Sequence, residues 1–449
     1  MNAATRTAAP SRDEHSRKAG WIPIVLLLAV CYVGYFKGTF LLSWLGFDLT
    51  VPLVLLLGTY VLYRQLGRRS GGLRHWAPVI GLWALFLPGA VYGLTSGYSP
   101  YKTVYLFTIT LISALAAPVV LQTKTDLRRW IKGTIVAGFA IAAVSLIDPD
   151  VEYVETFGRL SVDGSSTIGS ARVIGAAFVS VVLMACMTQS RHRLTLAVTG
   201  MFLGAFLIAI GSRGPLLGSI LAIGVALMSA RLFRGSRWSS LLAGVSGLGL
   251  AVYWAVSTNA AGARRLLGFL TGERVDEARS SLISTAANSI GRNPLGSGWG
   301  GFSTLMGDGS GSTHPHNLFL EVFLEGGWIA GIALLIFIVL ALRRLWGASG
   351  GPVGAVILAL AIYWLAVAQT SSDINGNRIT LVILACAFVW PRRRRNDARR
   401  RIDEYSSYGE TPMQTQGDDQ IAPGESNGEV APTANVRRGL PDKRTRRPR

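Results

Sequence analysis

Apolar residues along this chain fall into repeated blocks, and short polar stretches rich in Arg and Lys separate the blocks. A helix needs about 20 mostly apolar residues to cross the hydrocarbon core of a bilayer. Twelve segments meet or approach that length: 20–36, 48–63, 76–94, 102–121, 130–147, 172–188, 194–210, 214–230, 239–256, 317–341, 353–369 and 378–391. The pattern predicts an all-α, polytopic integral membrane protein with about 12 transmembrane helices.

The charges orient the spans. Every second connecting stretch is basic: Arg64, Arg68, Arg69 and Arg74; Lys124, Arg128 and Arg129; Arg231, Arg234 and Arg237; Arg343 and Arg344; Arg392 to Arg395. The stretch 148–171 is acidic instead, with Asp148, Asp150, Glu152, Glu155 and Asp163 against Arg159. Cytoplasmic loops carry the excess of Lys and Arg, so both termini are expected in the cytoplasm. Residues 1–19 then form a cytoplasmic segment, 20–391 the membrane domain, and 392–449 a polar, basic tail that is expected to be disordered. A net charge of +19 would point to nucleic acid in a soluble protein. With 15% charged residues and 50% hydrophobic ones, this is not an ordinary soluble chain, and no nucleic-acid partner is expected. Membrane lipids are. Cys31, Cys186 and Cys386 all lie in apolar blocks, which predicts neither disulfides nor a zinc site.

Two external stretches exceed what a connector needs, 148–171 and 257–316, the second a large loop before helix 10. Within it, Val275, Leu282, Ile283, Ala286 and Ile290 share roughly one helical face, which predicts an amphipathic helix at the outer surface. A Gly-rich turn segment, 293–302, follows and is able to pass close to a ligand.

Charged groups at a membrane face are costly and count as functional candidates. Arg213 sits in Gly-Ser-Arg-Gly-Pro between two apolar blocks, on the outer side, where a snorkelling arginine is not the usual pattern; a helix start beside a guanidinium suits a phosphate. His314 and His316 flank Pro315 at the mouth of the next span, with Asn317 as a helix cap; a neutral imidazole there suits general-base work, and two surface histidines are the plain alternative. Glu321 and Glu325 share a face one turn apart and are expected to orient a histidine or to pair with an arginine. Of the outer arginines, Arg159, Arg172, Arg264, Arg265, Arg274, Arg279, Arg292 and Arg378, most are expected to be solvated; Arg159 and Arg279 are the better candidates, since each adjoins an expected binding loop. There is no phosphate-cradling GxxxxGK[ST] and no GxSxG elbow.

The runs Ser212-Arg213-Gly214, Asn293-Pro-Leu-Gly-Ser-Gly-Trp-Gly-Gly-Phe302, His316-Asn-Leu-Phe-Leu-Glu321 and Glu325-Gly-Gly-Trp-Ile-Ala-Gly331 resemble the O-antigen ligase/polymerase family, as does Gly158-Arg159-Leu160-Ser161. The resemblance covers about 159–341. It implies a membrane glycosyltransferase that takes a glycan from an undecaprenyl-diphosphate carrier at the outer face of the cytoplasmic membrane and passes it to an acceptor hydroxyl, on an acceptor glycan or cell-wall polymer, with no metal and no cofactor. It implies His316 as the base and Arg213 on the diphosphate; Arg279 and Arg159 come next as candidates, then Arg292, His314 and Glu325 as further candidate substrate contacts, His314 having no counterpart in the family's motif. Ligases and chain-lengthening polymerases of the family are not separated by these residues. A non-enzymatic transporter of lipid-linked glycan or of a small anion is the remaining alternative.

Overall fold

The computed structural model describes residues 20–67, 73–92, 98–150, 166–188, 192–229, 277–306 and 313–389. Fourteen α-helices occur among them. They are α1 (Trp21–Tyr32), α2 (Thr50–Leu66), α3 (Ala77–Tyr92), α4 (Ser99–Val120, one π turn included), α5 (Lys124–Ile147), α6 (Thr167–Met187) and α7 (His192–Ile210). Then come α8 (Arg213–Ser229), α9 (Glu277–Arg292), α10 (Gly301–Met306), α11 (Leu318–Glu325), α12 (Gly327–Ala348), α13 (Pro352–Ala368) and α14 (Arg378–Cys386).

Five of these, α4, α5, α6, α7 and α12, are long and apolar enough to cross a membrane. Five shorter apolar helices, Trp21–Tyr35, Thr50–Leu66, Ala77–Val91, Arg213–Ser229 and Pro352–Ala368, fall where further spans were expected. The expected span 239–256, the N-terminal segment 1–19 and the tail 392–449 lie outside the described residues. Cys31, Cys186 and Cys386 are all free.

α6 and α13 form the centre. α6 packs on α5, α7, α8 and α13, and α13 packs also on α8 and α12. Small residues bring the backbones close: Gly138 of α5 lies against Ala177 of α6, and Gly175 of α6 lies against the Tyr363 ring of α13. Such contacts hold helices together where lipid is as apolar as the side chains. Outward-facing Leu55, Leu56 and Leu62 of α2, Val136 of α5, Val198 of α7 and Val339 of α12 stay exposed. In water that surface would drive aggregation; against acyl chains it is at home.

The span expected over 317–341 is not one helix. It breaks at Gly326–Gly327, and Gly327 takes φ 80°. The break admits the Gly-rich strand of chain. Ser297 N donates to the Leu324 carbonyl (2.8 Å), Gly298 N to the Glu325 carbonyl (2.9 Å) and Trp328 N to the Pro294 carbonyl (2.9 Å). The last carbonyls of α11, which no helical N–H satisfies, are thus bonded by this segment. Gly296 (φ 87°), Gly298 (φ 83°) and Gly300 (φ 89°) supply the left-handed turns. A Cβ on Gly296 would meet the Glu325 carbonyl oxygen at 2.5 Å, and one on Gly300 would meet Ser99 Cα at 2.7 Å. These glycines approach protein backbone rather than an open cleft. Trp299, fully buried, pins the segment to α3 by donating from N to the Gly89 carbonyl (3.0 Å) and from Nε1 to the Phe86 carbonyl (3.0 Å).

The amphipathic helix exists as α9. Leu282 and Ala286, four positions apart, pack with Phe302 and Leu324, and Ile290 covers their edge. Its apolar face therefore lies on α11. Ile283 departs from the expected face and is partly exposed, because a neighbour in sequence sits about 100° round the helix. Val275 lies outside the described residues.

Candidate functional site

The N-terminal ends of α4, α6, α8 and α11 and the C-terminal end of α13 converge on the loop 369–377, Gln-Thr-Ser-Ser-Asp-Ile-Asn-Gly-Asn. Asp, Asn, Ser and Gly favour such turns because their side chains bond nearby backbone. Here Asp373 Oδ1 accepts from Gly376 N (2.8 Å), and Asn377 Nδ2 donates to the Asp373 carbonyl (2.9 Å). The loop then reaches outward to each helix in turn. Its Gln369 carbonyl accepts from Asn317 Nδ2 (3.4 Å), and a Cβ on Gly214 would run into the Thr370 side chain. Asn375 Nδ2 donates to the Lys102 carbonyl (3.1 Å), and Asn375 Oδ1 accepts from Thr110 Oγ1 (2.9 Å). These two bonds bracket the π turn Leu106–Thr110 inside α4. Isolated π turns of this kind recur at functional sites.

Arg172, near the start of α6, is buried, not solvated. It donates to Asn377 Oδ1 and to the Gly376 carbonyl (3.4 Å), and its guanidinium lies 5.1 Å from the centre of the Trp364 ring. Arg378 also turns inward and donates from Nε to the Val30 carbonyl (3.1 Å). Both were expected in water. The loop and α1 supply carbonyls that make burial tolerable for a guanidinium.

The buried centre beneath the loop is a trio. Lys102 Nζ lies 2.6 Å from Glu321 Oε1 and 2.6 Å from Glu325 Oε2, and all three side chains have no exposure. Glu321 Oε1 also accepts from Ile374 N (3.1 Å), and Glu325 Oε1 accepts from Phe302 N (3.4 Å). The glutamates thus meet a lysine, where an arginine or a histidine was expected. Lys102 belongs to none of the sequence motifs. Its one sequence signal is a lysine at what the charge pattern makes the outer end of a span, against the bias of the other loops. Glu325 reaches no surface, and its partners are all protein.

His316 and His314 sit beside this centre. His316 takes φ 55°, and Ser372 of the loop takes φ 65°; they are the two non-glycine residues with positive φ among the described residues. Such conformations cost energy and collect at functional sites. Asn317 caps α11 as expected, with Oδ1 accepting from Leu320 N (3.1 Å). The two imidazoles lie edge to face, centres 4.2 Å apart. His314 Nδ1 is 3.0 Å from Thr313 Oγ1. Burial pushes the His314 ring down to about 4; the Asp373 carboxylate opposes this, and His316 and Lys102 add to it. His314 is therefore uncharged near neutral pH.

Arg213 opens α8 and is half-buried, with Pro215 in the first turn as expected. Through Gly214 on Thr370 and Asn317 on Gln369, the Arg213 and His316 motifs are seated on adjacent residues of one loop. Arg279 lies half-buried in the first turn of α9 and Arg292 exposed in its last. Thirteen positions of helix separate them by about 20 Å, so one phosphate cannot engage both. Arg159 lies outside the described residues. Among the described residues no group of three or more His, Cys, Asp and Glu side chains is arranged to hold a metal ion.

A family model described as O-antigen ligase matches residues 176–335. The matched region holds Arg213, Arg279, Arg292, His314, His316, Glu321 and Glu325; Lys102, Arg172 and the 369–377 loop lie beyond it. No curated protein matches the chain.

Proposed function

We propose, from the match of residues 176–335 to the O-antigen ligase model, that the chain belongs to that family and is a metal-independent glycosyltransferase of the cytoplasmic membrane. Its donor is a glycan on an undecaprenyl diphosphate, and its acceptor is a hydroxyl of a glycan or cell-wall polymer at the outer face. The observation that carries this reading is the seating of the Arg213-Gly214 and His316-Asn317 motifs on neighbouring residues of one loop. An anion-binding group and a proton acceptor are the two parts that the reaction requires.

In the proposed reaction the acceptor oxygen attacks the anomeric carbon while the bond from that carbon to the diphosphate oxygen breaks. The acceptor proton passes to His316. The lipid diphosphate leaves with one more negative charge, which Arg213 at the N-terminus of α8 stabilises through charge-assisted hydrogen bonds. Arg279 and Arg159 contact the donor, with Arg292 farther along the same external surface. Lys102, Glu321 and Glu325 fix α4, α11 and the loop beneath the reacting groups; Glu325 acts by holding Lys102. His314, being uncharged, withholds a second positive charge from the ring beside it.

The test is transfer by purified protein from a synthetic diphosphate-linked donor to an acceptor glycan. A product of acceptor plus one donor unit supports ligation. Products that grow by repeats on the carrier support the polymerase of the same family instead. Chelation leaves the rate unchanged if the reading is right. No transfer at all, with uptake of lipid-linked glycan by vesicles, would replace it with the transporter.

A further inference from the structure

At the end of the molecule away from the loop, a cavity of about 440 Å³ opens between α1, α5, α6 and α13. Its position follows from chain direction. α4 starts at the Lys102 end and runs for 22 residues, about 33 Å, before the chain turns into Lys124 of α5. α6 has Arg172 under the loop and Met184 and Met187 in the cavity wall; α13 ends at the loop and begins at the cavity with Pro352. The cavity therefore belongs to the opposite membrane face, and it is independent of the proposed transfer reaction.

Its wall has two characters. Arg128 and Arg129, four and three positions before Lys132, supply positive charge from α5 together with it. Met184, Met187 and Val356 supply an apolar side. Among the described residues the carboxylate that approaches these bases is Asp126. Asp126 is buried, and its Oδ2 accepts from Thr123 N (2.9 Å) and Thr123 Oγ1 (2.7 Å) in the capping box of α5. Its Oδ1 stands 3.8 Å from Arg129 Nη1. Arg129 meanwhile lies 5.0 Å from the centre of the Trp21 ring, and tryptophans are enriched at the membrane–water boundary.

We infer that this cavity is a binding site for the headgroup of an acidic phospholipid, with the phosphate held by Arg128, Arg129 and Lys132 and the first part of an acyl chain laid on Met184, Met187 and Val356. Charge complementarity selects an anion: among the described residues the lining holds the three bases and no carboxylate. The apolar side selects a lipid over a free phosphate, since an inorganic ion leaves that wall unused. A basic pocket between helix ends is the arrangement by which membrane proteins retain acidic lipids.

Native mass spectrometry of the purified full-length protein, titrated with phosphatidylglycerol or phosphatidylcholine, tests the site. Retention of phosphatidylglycerol over phosphatidylcholine is expected, with affinity for the acidic lipid falling at least about tenfold in Arg128→Gln/Arg129→Gln/Lys132→Gln. Met187→Trp, which fills the apolar side and leaves the charges, is expected to displace the lipid as well. Millimolar inorganic phosphate is expected not to compete. Equal retention of the two lipids overturns the inference, as does unchanged binding by either variant. Full displacement by phosphate overturns it in favour of a simple anion site.

Discussion

Lys102 Nζ lies 2.6 Å from Oε1 of Glu321, and neither side chain has any exposure. Glu325 makes the same approach from one turn further along α11. One ammonium thus joins α4 to two turns of a short helix across more than 200 residues of chain. Removing one member of a buried ion group costs roughly 3–5 kcal/mol, because a charge is left without its partner. Lys102→Met is expected to lower the melting temperature of the purified protein steeply. Lys102→Met combined with Glu321→Gln and Glu325→Gln is expected to regain most of the loss. If the single variant melts like the parent, the trio contributes no net stability.

His316 is expected to act in the rate and not in donor capture. His316→Ala should retain binding of the diphosphate-linked donor and lose about 10²–10⁴-fold in turnover, the usual range for a general base. His314→Ala should be milder. An inactive His314 variant beside an active His316 variant would reverse the roles.

Arg213 carries a geometric prediction. A guanidinium offers a planar fork to phosphate oxygens, and an ammonium does not. Arg213→Ala is expected to reduce transfer by about tenfold to 100-fold, and Arg213→Lys to restore little of it. Wild-type transfer by Arg213→Ala at equal protein level would remove this residue from the site.

The half-buried His314 gives stability a pH slope. Its native ring is held down to about 4 by burial, against an ordinary value of 6.5. As pH falls through 6.5 the unfolded chain takes up a proton that the folded one refuses, so stability falls until about pH 4. The slope integrates to roughly 3 kcal/mol at most. His314→Gln is expected to flatten the thermal-stability profile over that window and leave it unchanged at higher pH. Parallel profiles of variant and parent would show that His314 charges freely in the native protein.

Glycines at the break between α11 and α12 are expected to be intolerant. Gly296→Ala puts a Cβ 2.5 Å from the Glu325 carbonyl in a left-handed backbone, and a loss of about 1–3 kcal/mol is expected. Gly291→Ala in α9 meets nothing within 4 Å and should be neutral or stabilising. Equal melting temperatures for the two would contradict the tight passage of the Gly-rich segment.

The sequence alone determined the helical class and the main motifs. Hydrophobic block length is a local property, and it placed the long helices α4 to α7 without reference to their neighbours. The cap at Asn317, the proline in the first turn of α8 and most of the buried face of α9 also depend only on nearby residues. The tertiary structure alone decided what the charges do. Lys102 has no carboxylate near it in sequence, and gains two only when α4 is set beside α11; Arg172 and Arg378 look like water-facing arginines until the 369–377 loop and α1 offer carbonyls to them. The break in the 317–341 span likewise exists because another segment must reach the Leu324 and Glu325 carbonyls. Local patterns report burial along one helix. Charge pairing, and the carbonyls that make a buried charge tolerable, come from partners hundreds of positions away, and only the fold brings them within bonding distance.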